Sequence, residues 1–295
     1  YKKHGALKYL TIAKQCEDVN SWEVKDSWER EEVKLDKERL KILNKVLAQY
    51  RQEKNDYLKR KYAFLAIRLD YYAGGDALTQ KLFKETFQYS KKDYLYYWAL
   101  FFTCFSKSDG EQMVEASRLM ANSPEKFEAS YYYFHDKFSV EKALEFATTK
   151  EDIANIYAFA SIQKVDKNLG YLKEIYKNNP KSRILGFLLL REVNKLEDWI
   201  FTPYYTNYEP SILTQDYAWD ASTSDRRTTE ALRNRSEKDR EYAIALLDFI
   251  NEVSVVQVDN PVIWEASKIN LLFMARNYSE CLQTIGKFEM EFKND

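Results

Sequence analysis

Apolar residues recur along this chain at intervals of three and four, the spacing that gathers them on one face of a helix. Between Ala63 and Phe87 the stretch AFLAIRLDYYAGGDALTQKLFKETF carries Leu65, Leu69 and Tyr72 before a Gly pair, then Leu78, Leu82, Phe83 and Phe87 after it. Two amphipathic helices meeting at a tight corner are predicted. The next stretch repeats the plan, with a nearly all-apolar helix around Tyr94 to Phe105, the turn SKSDGE, and a helix carrying Met113, Val114, Ala116 and Met120. Ser108 with Glu111 has the capping-box spacing that satisfies free amides at a helix start. Ser123 followed by Pro124 marks another start, because Pro suits the first helical position. The same punctuation recurs at Thr149, Asn178 and Asp259.

First helices are therefore expected to begin near Tyr57, Asp93, Glu125, Glu151, Ser182 and Pro261, each followed by a turn and a partner helix. The spacings run roughly 26 to 36 residues until the last, which suits stacked helical hairpins of about 34 residues. Four segments follow. Residues 1–56 are a charged helical segment, with Leu40, Leu43, Val46, Leu47 and Tyr50 on one face, packing on the first hairpin. Residues 57–201 are hairpin repeats, 202–236 an insertion, and 237–295 the C-terminal hairpins. Trp98, Phe101, Leu189, Leu246 and Trp264 are expected in the core.

Composition supports an all-α fold of antiparallel hairpins: only seven Gly and five Pro occur in 295 residues, whereas sheet proteins need many turn residues. The formal net charge of −1 supplies no field for nucleic acid or an anionic membrane. The basic LKRKY run at Leu58–Tyr62 has Glu53 and Asp56 beside it and reads as a solvated face. The longest apolar run, Tyr94–Phe102, falls far short of a transmembrane span. Three cysteines, Cys16, Cys104 and Cys281, leave an odd thiol with no close pair and read as small buried apolar groups. The chain begins at Tyr1 without a signal peptide and reads as a piece of something longer.

YYAGGDALTQKLF and ARNYSECLQTIGKF, Ala275 to Phe288, resemble the helix–turn–helix centre of tetratricopeptide (TPR) repeats. Tyr71, Tyr72, Gly75 and Asp76 match the residues before and in the turn; Tyr278 and Cys281 match the aromatic and small positions of the second helix. Gln80 departs from the pattern, standing where the small residue belongs. The first helices lack the usual Leu-Gly step, and unit lengths vary. The resemblance implies a TPR-like α-solenoid, a right-handed superhelix whose concave side binds a protein or peptide. It implies neither catalysis nor a cofactor. Trimmed, Tyr-rich helical repeats of this kind also resemble bacterial cell-envelope proteins, with the cytoplasm as the other location open.

Chemistry-bearing motifs are sparse. Gly74-Gly75 follows a helix and continues Asp-Ala-Leu, whereas a phosphate loop follows a strand and continues with Lys or further Gly. Ser-x-x-Lys occurs at Ser123/Lys126, Ser139/Lys142 and Ser161/Lys164 without a Lys-Thr-Gly partner, which points to helix caps. Two histidines, His4 and His135, cannot assemble a histidine metal cluster. His135 beside Asp136 is expected to diverge, since helix neighbours point apart. No catalytic, cofactor-binding or metal-binding residue is assigned.

The insertion is the informative departure, because loops of such length inside a domain usually carry function or disorder. Tyr204, Tyr205, Tyr208, Tyr217 and Trp219 make it too aromatic for a solvated linker. These rings either tuck the loop against the helices or grip a partner. The expected function is a non-enzymatic protein–protein interaction scaffold in a multi-protein assembly. A glycan-binding surface using the same rings, and a helical-barrel enzyme acting on polysaccharides, are the alternatives.

Overall fold

The computed structural model describes residues 2–17, 19, 36–214 and 228–292. Of these, 80% are helical and none lies in a strand, so the fold is all-α. The described residues form fourteen α-helices. The chain divides into two compact units, Tyr1–Lys137 and Phe138–Asp295.

In the first unit α1 (Lys2–Glu17) and α2 (Asp36–Gln52) pack on α3 (Asp56–Tyr72). Then come α4 (Ala77–Thr86), α5 (Tyr94–Thr103), α6 (Asp109–Asn122) and α7 (Phe127–Phe134). Each packs on its sequence neighbour, and α3 also packs on α5, so the hairpin α3/α4 stacks on α5/α6. Arg39 of α2 staples this layer, donating to the carbonyls of Val19 and Tyr72. Leu65, Leu69, Leu82, Phe87, Leu100, Phe101 and Leu119 fill the core.

The second unit contains α8 (Val140–Leu144), α9 (Lys150–Gln163), α10 (Leu169–Asn178), α11 (Arg183–Thr206), α12 (Thr229–Glu252), α13 (Pro261–Met274) and α14 (Tyr278–Glu291). Helix α11 is the spine, packing on α9, α10, α12 and α13. Its Leu185, Leu189, Val193, Leu196 and Ile200 are buried, as are Tyr242, Leu246, Phe249 and Val253 of α12 and its C-cap.

The first helices start at Asp56, Tyr94, Phe127, Lys150, Arg183 and Pro261, close to the positions read from periodicity. Local chemistry explains the starts: Asn55, Asp93 and Thr149 accept hydrogen bonds from first-turn amides, and Pro261 sits at a first position. Three details differ. Ser108 makes no side-chain cap bond to the backbone; its hydroxyl instead donates to the Glu111 carboxylate at 2.9 Å. Leu40 is exposed rather than on the buried face of α2. Trp98 is half-buried, whereas Phe101, Leu189, Leu246 and Trp264 are buried.

The Gly pair is a corner between α3 and α4. Gly74 takes φ +77°, and the Gly75 amide donates back to the Asp70 carbonyl at 2.9 Å, closing the helix end in the manner of a Schellman turn. The Asp70 carboxylate then accepts from the Thr79 amide and hydroxyl, each at 2.9 Å, and so caps α4. The corner between α13 and α14 has the same bonds: Asn277 N–H donates to the Leu272 carbonyl at 2.9 Å, and Arg276 takes φ +61°. These bonds pair Gly74 with Arg276, Gly75 with Asn277, and Thr79 with Cys281. The small position of the first corner is thus Thr79, not Gln80, one residue from the alignment read in the sequence. Both small side chains are buried and bond the facing helix, Thr79 Oγ1 to Ile67 O and Cys281 Sγ to Ile269 O. Gln80 points away, donating to Thr103 O and Ser106 Oγ.

Candidate functional site

Helix α11 runs on through Thr206 despite Pro203, and α12 starts at Thr229, so the span between the helices is narrower than residues 202–236. A proline inside a helix removes one N–H and crowds the preceding turn. Tertiary bonds hold the turn all the same. Trp199 Nε1 donates to Ile212 O at 2.8 Å, and the Ile212 amide donates to Asp198 at 2.7 Å, folding 207–214 back onto α11. Arg235 of α12 reaches Thr214 from the other side, and Ser236 donates to the Ile200 carbonyl at 2.8 Å.

This geometry places Tyr204 and Tyr205 on the last turn of α11, with Tyr208 just beyond it. Tyr205 and Tyr208 are 69% and 74% exposed, so neither tucks against the helices, while Tyr204 is 37% exposed. Tyr217 and Trp219 lie outside the described residues, as does the side chain of His4. Tyr205 is joined instead by Phe201 and Phe273, which the sequence pattern did not single out, and through them by Tyr278. Phe201 stands 6.0 Å from Tyr205 and 5.8 Å from Phe273, which stands 5.8 Å from Tyr278, measured between ring centroids. Phe273 and Tyr278 are exposed. The Tyr204 ring packs edge-on against Tyr205, with the guanidinium groups of Arg233 and Arg276 each 5.8 Å from its centroid. Arg276 is also forked onto Glu237, at 2.6 and 3.3 Å. Its left-handed backbone, uncommon for a residue other than Gly, sets the start of that side chain. An exposed run of aromatic side chains therefore crosses the end of α11 and the α13/α14 corner.

The same unit buries a polar cluster. Lys195 Nζ lies 2.5 Å from Glu192 and donates to the carbonyls of Val165 and Asp166 at 3.0 and 2.7 Å. Tyr242 donates to Glu192 at 2.8 Å and accepts from the amides of Asn168 and Leu169, each at 3.0 Å. Burial pushes the Lys195 ammonium below its ordinary pKa, against the pull of Glu192. It pushes the Tyr242 phenol well above, reinforced by the Glu192 charge. Lys195 spends its donors on three oxygens, and Lys195 and Glu192 are almost wholly buried, so the cluster fastens the α9–α10 turn to α11 and α12 and presents no free base.

His135 and Asp136 do meet, correcting the expectation that they diverge. They occupy a 3₁₀ turn, and His135 Nε2 lies 2.7 Å from the Asp136 carboxylate. Nδ1 faces the Tyr131 carbonyl at 3.0 Å, so both ring nitrogens are engaged. The Ser-x-x-Lys serines share no arrangement: Ser139 caps α8, Ser161 donates to Tyr157 O inside α9, and Ser123 donates to Glu125. All three cysteines are buried and free. Among the described residues no group of His, Cys, Asp or Glu side chains is placed to hold a metal ion, and no helix is long and apolar enough to cross a membrane.

Fold and surface together define an all-α protein of stacked helical hairpins with an exposed aromatic run on its second unit. In comparisons with known proteins, no family model, curated protein or solved structure matches the chain.

Proposed function

We propose that this chain is a TPR-like, non-enzymatic scaffold that holds a protein or peptide partner within a larger assembly. The observation that carries this reading is the run Phe201, Tyr205, Phe273 and Tyr278, bordered by Arg233 and Arg276. Tyr and Arg dominate binding hot spots because rigid rings and planar guanidinium groups desolvate well and lose little entropy on contact. Connected exposed rings are uncommon on surfaces that face only water. The equivalent corners at Gly74–Thr79 and Arg276–Cys281 support the TPR-like part of the reading, since two hairpins built on one plan are what a repeat requires.

Affinity capture from the native host with the unaltered chain, set against Tyr205→Ala and Tyr278→Ala variants, tests the proposal. The expected result is one partner retained by the unaltered chain and lost from both variants at unchanged melting temperature. Equal capture by all three overturns the assignment of this surface. Exposed tyrosines are also suited to stacking on sugar rings, and saturable binding in a glycan panel that both substitutions abolish would replace the protein partner with a carbohydrate.

A further inference from the structure

The first unit carries a second site of different chemistry, independent of the aromatic run on the second unit. Lys126, at the end of the 3₁₀ turn Pro124–Lys126, holds its ammonium 4.6 Å from the ring centroid of Phe101, 5.7 Å from Phe102 and 5.8 Å from Trp98. The guanidinium of Arg68, on α3, lies 5.9 Å from the Phe64 ring, whose centroid is 5.9 Å from that of Trp98. Trp98 Nε1–H is buried and has no acceptor among the described residues. Neither Arg68 nor Lys126 has a hydrogen-bond acceptor or an acidic partner among them either.

Several other cations that this fold takes out of water meet oxygen acceptors. Arg39 donates to two carbonyls, Arg60 forks onto Asp93, Lys107 pairs with Glu115, and Lys195 meets three oxygens. Around Phe64, Trp98 and Phe101, by contrast, two cations lie against ring faces and an indole N–H is buried, with no oxygen partner for any of them among the described residues. Burial, and secondarily the charge of Arg68, push the Lys126 ammonium below its ordinary pKa. Ring faces attract a cation but accept no strong hydrogen bond, and leaving desolvated donors unmatched is costly.

We propose that Arg68, Lys126 and Trp98 form an anion-binding site for a single carboxylate or phosphate group of a ligand. An anion supplies the acceptors that all three donors lack and relieves the repulsion between Arg68 and Lys126. Arg and Lys are the side chains suited to both groups, Arg as a planar fork and Lys as a compact charge. The exposed rings of Tyr94, 5.4 Å from Trp98, and Tyr133, 5.9 Å from Phe101, flank the site and suit a ligand whose anionic group is attached to an apolar body.

The Trp98 indole N–H resonance reads occupancy directly. In ¹H–¹⁵N spectra of the full chain, with that resonance assigned through Trp98→Phe, inorganic phosphate and sodium acetate are titrated separately, each replacing chloride at constant ionic strength. A saturable shift is expected, weakened by about ten-fold in Arg68→Gln and in Lys126→Gln, the size of one charge-assisted hydrogen bond. The remaining indole resonances of both variants should stay in place, showing an intact fold. Response to phosphate alone assigns a phosphate-bearing ligand, and response to acetate alone a carboxylate-bearing one. A shift that never saturates, or that survives both substitutions unchanged, overturns the site.

Discussion

Gly75 lies so close to Asp70 that a Cβ built on it would sit 2.2 Å from the Asp70 carboxylate. The approach is enforced from both sides: the Gly75 amide bonds the Asp70 carbonyl, and the Asp70 side chain is committed to Thr79. Gly75→Ala should therefore destabilise the protein by about 1 to 3 kcal/mol, as overpacking does. Gly74→Ala meets no atom within 4 Å but keeps its φ of +77°, a strain of about 1 to 2 kcal/mol. The two costs differ in origin, which a double-mutant cycle by urea unfolding separates. Adding Asp70→Ser should recover part of the Gly75→Ala loss and none of the Gly74→Ala loss.

Lys195→Met should cost about 3 to 5 kcal/mol, because it strands Glu192 in the interior with one fewer cation. Adding Glu192→Gln to that variant should restore part of the loss, since a neutral amide is easier to bury than an unpaired carboxylate. Chemical denaturation of the single and double variants checks it, and strict additivity would show that the two side chains do not interact.

Trp264 and Trp98 should respond differently to truncation. Trp264 is 1% exposed and wedged between Tyr176 and Phe249, so Trp264→Ala should cost about 3 to 5 kcal/mol. Trp98 is half-buried, and its truncation should cost about 2 kcal/mol, in keeping with its smaller buried area. Equal losses would mean that Trp98 is better packed than its exposure indicates.

Alkaline pH should weaken the first unit through Tyr9. Burial, then the nearby Cys16, raise its phenol from 10.0 to about 12. With the folded value above the unfolded one, the stabilisation is fully present below pH 10.0 and is lost as pH climbs toward about 12, where the unfolded chain has already released its proton. Tyr9→Phe should flatten that part of the curve of unfolding midpoint against pH. An unchanged slope would remove Tyr9 as its source.

At the proposed partner surface, Tyr205→Ala or Tyr278→Ala should weaken binding by about 2 kcal/mol or more, the size of an interface hot spot, with little change in melting temperature. Titration calorimetry with the captured partner measures the first quantity and thermal unfolding the second.

Periodicity and punctuation along the chain determined the helices and most of their starts, because amphipathic spacing and caps such as Asn55, Asp93 and Thr149 act within a few residues of where they are written. They also marked Tyr204, Tyr205 and Tyr208, since aromatic density is visible without a structure. The register of the Gly74–Gly75 corner was not legible: both Thr79 and Gln80 fit a turn, and the contact with Ile67 across the hairpin decided for Thr79. Pro203 reads locally as a helix stop, yet the bonds of Trp199 and Asp198 to Ile212 outweigh its missing N–H. The joining of Phe201 and Tyr205 to Phe273 and Tyr278, and of Arg68 and Trp98 to Lys126, had no signal in the sequence. These residues are tens of positions apart and meet only because hairpin stacking brings distant turns side by side.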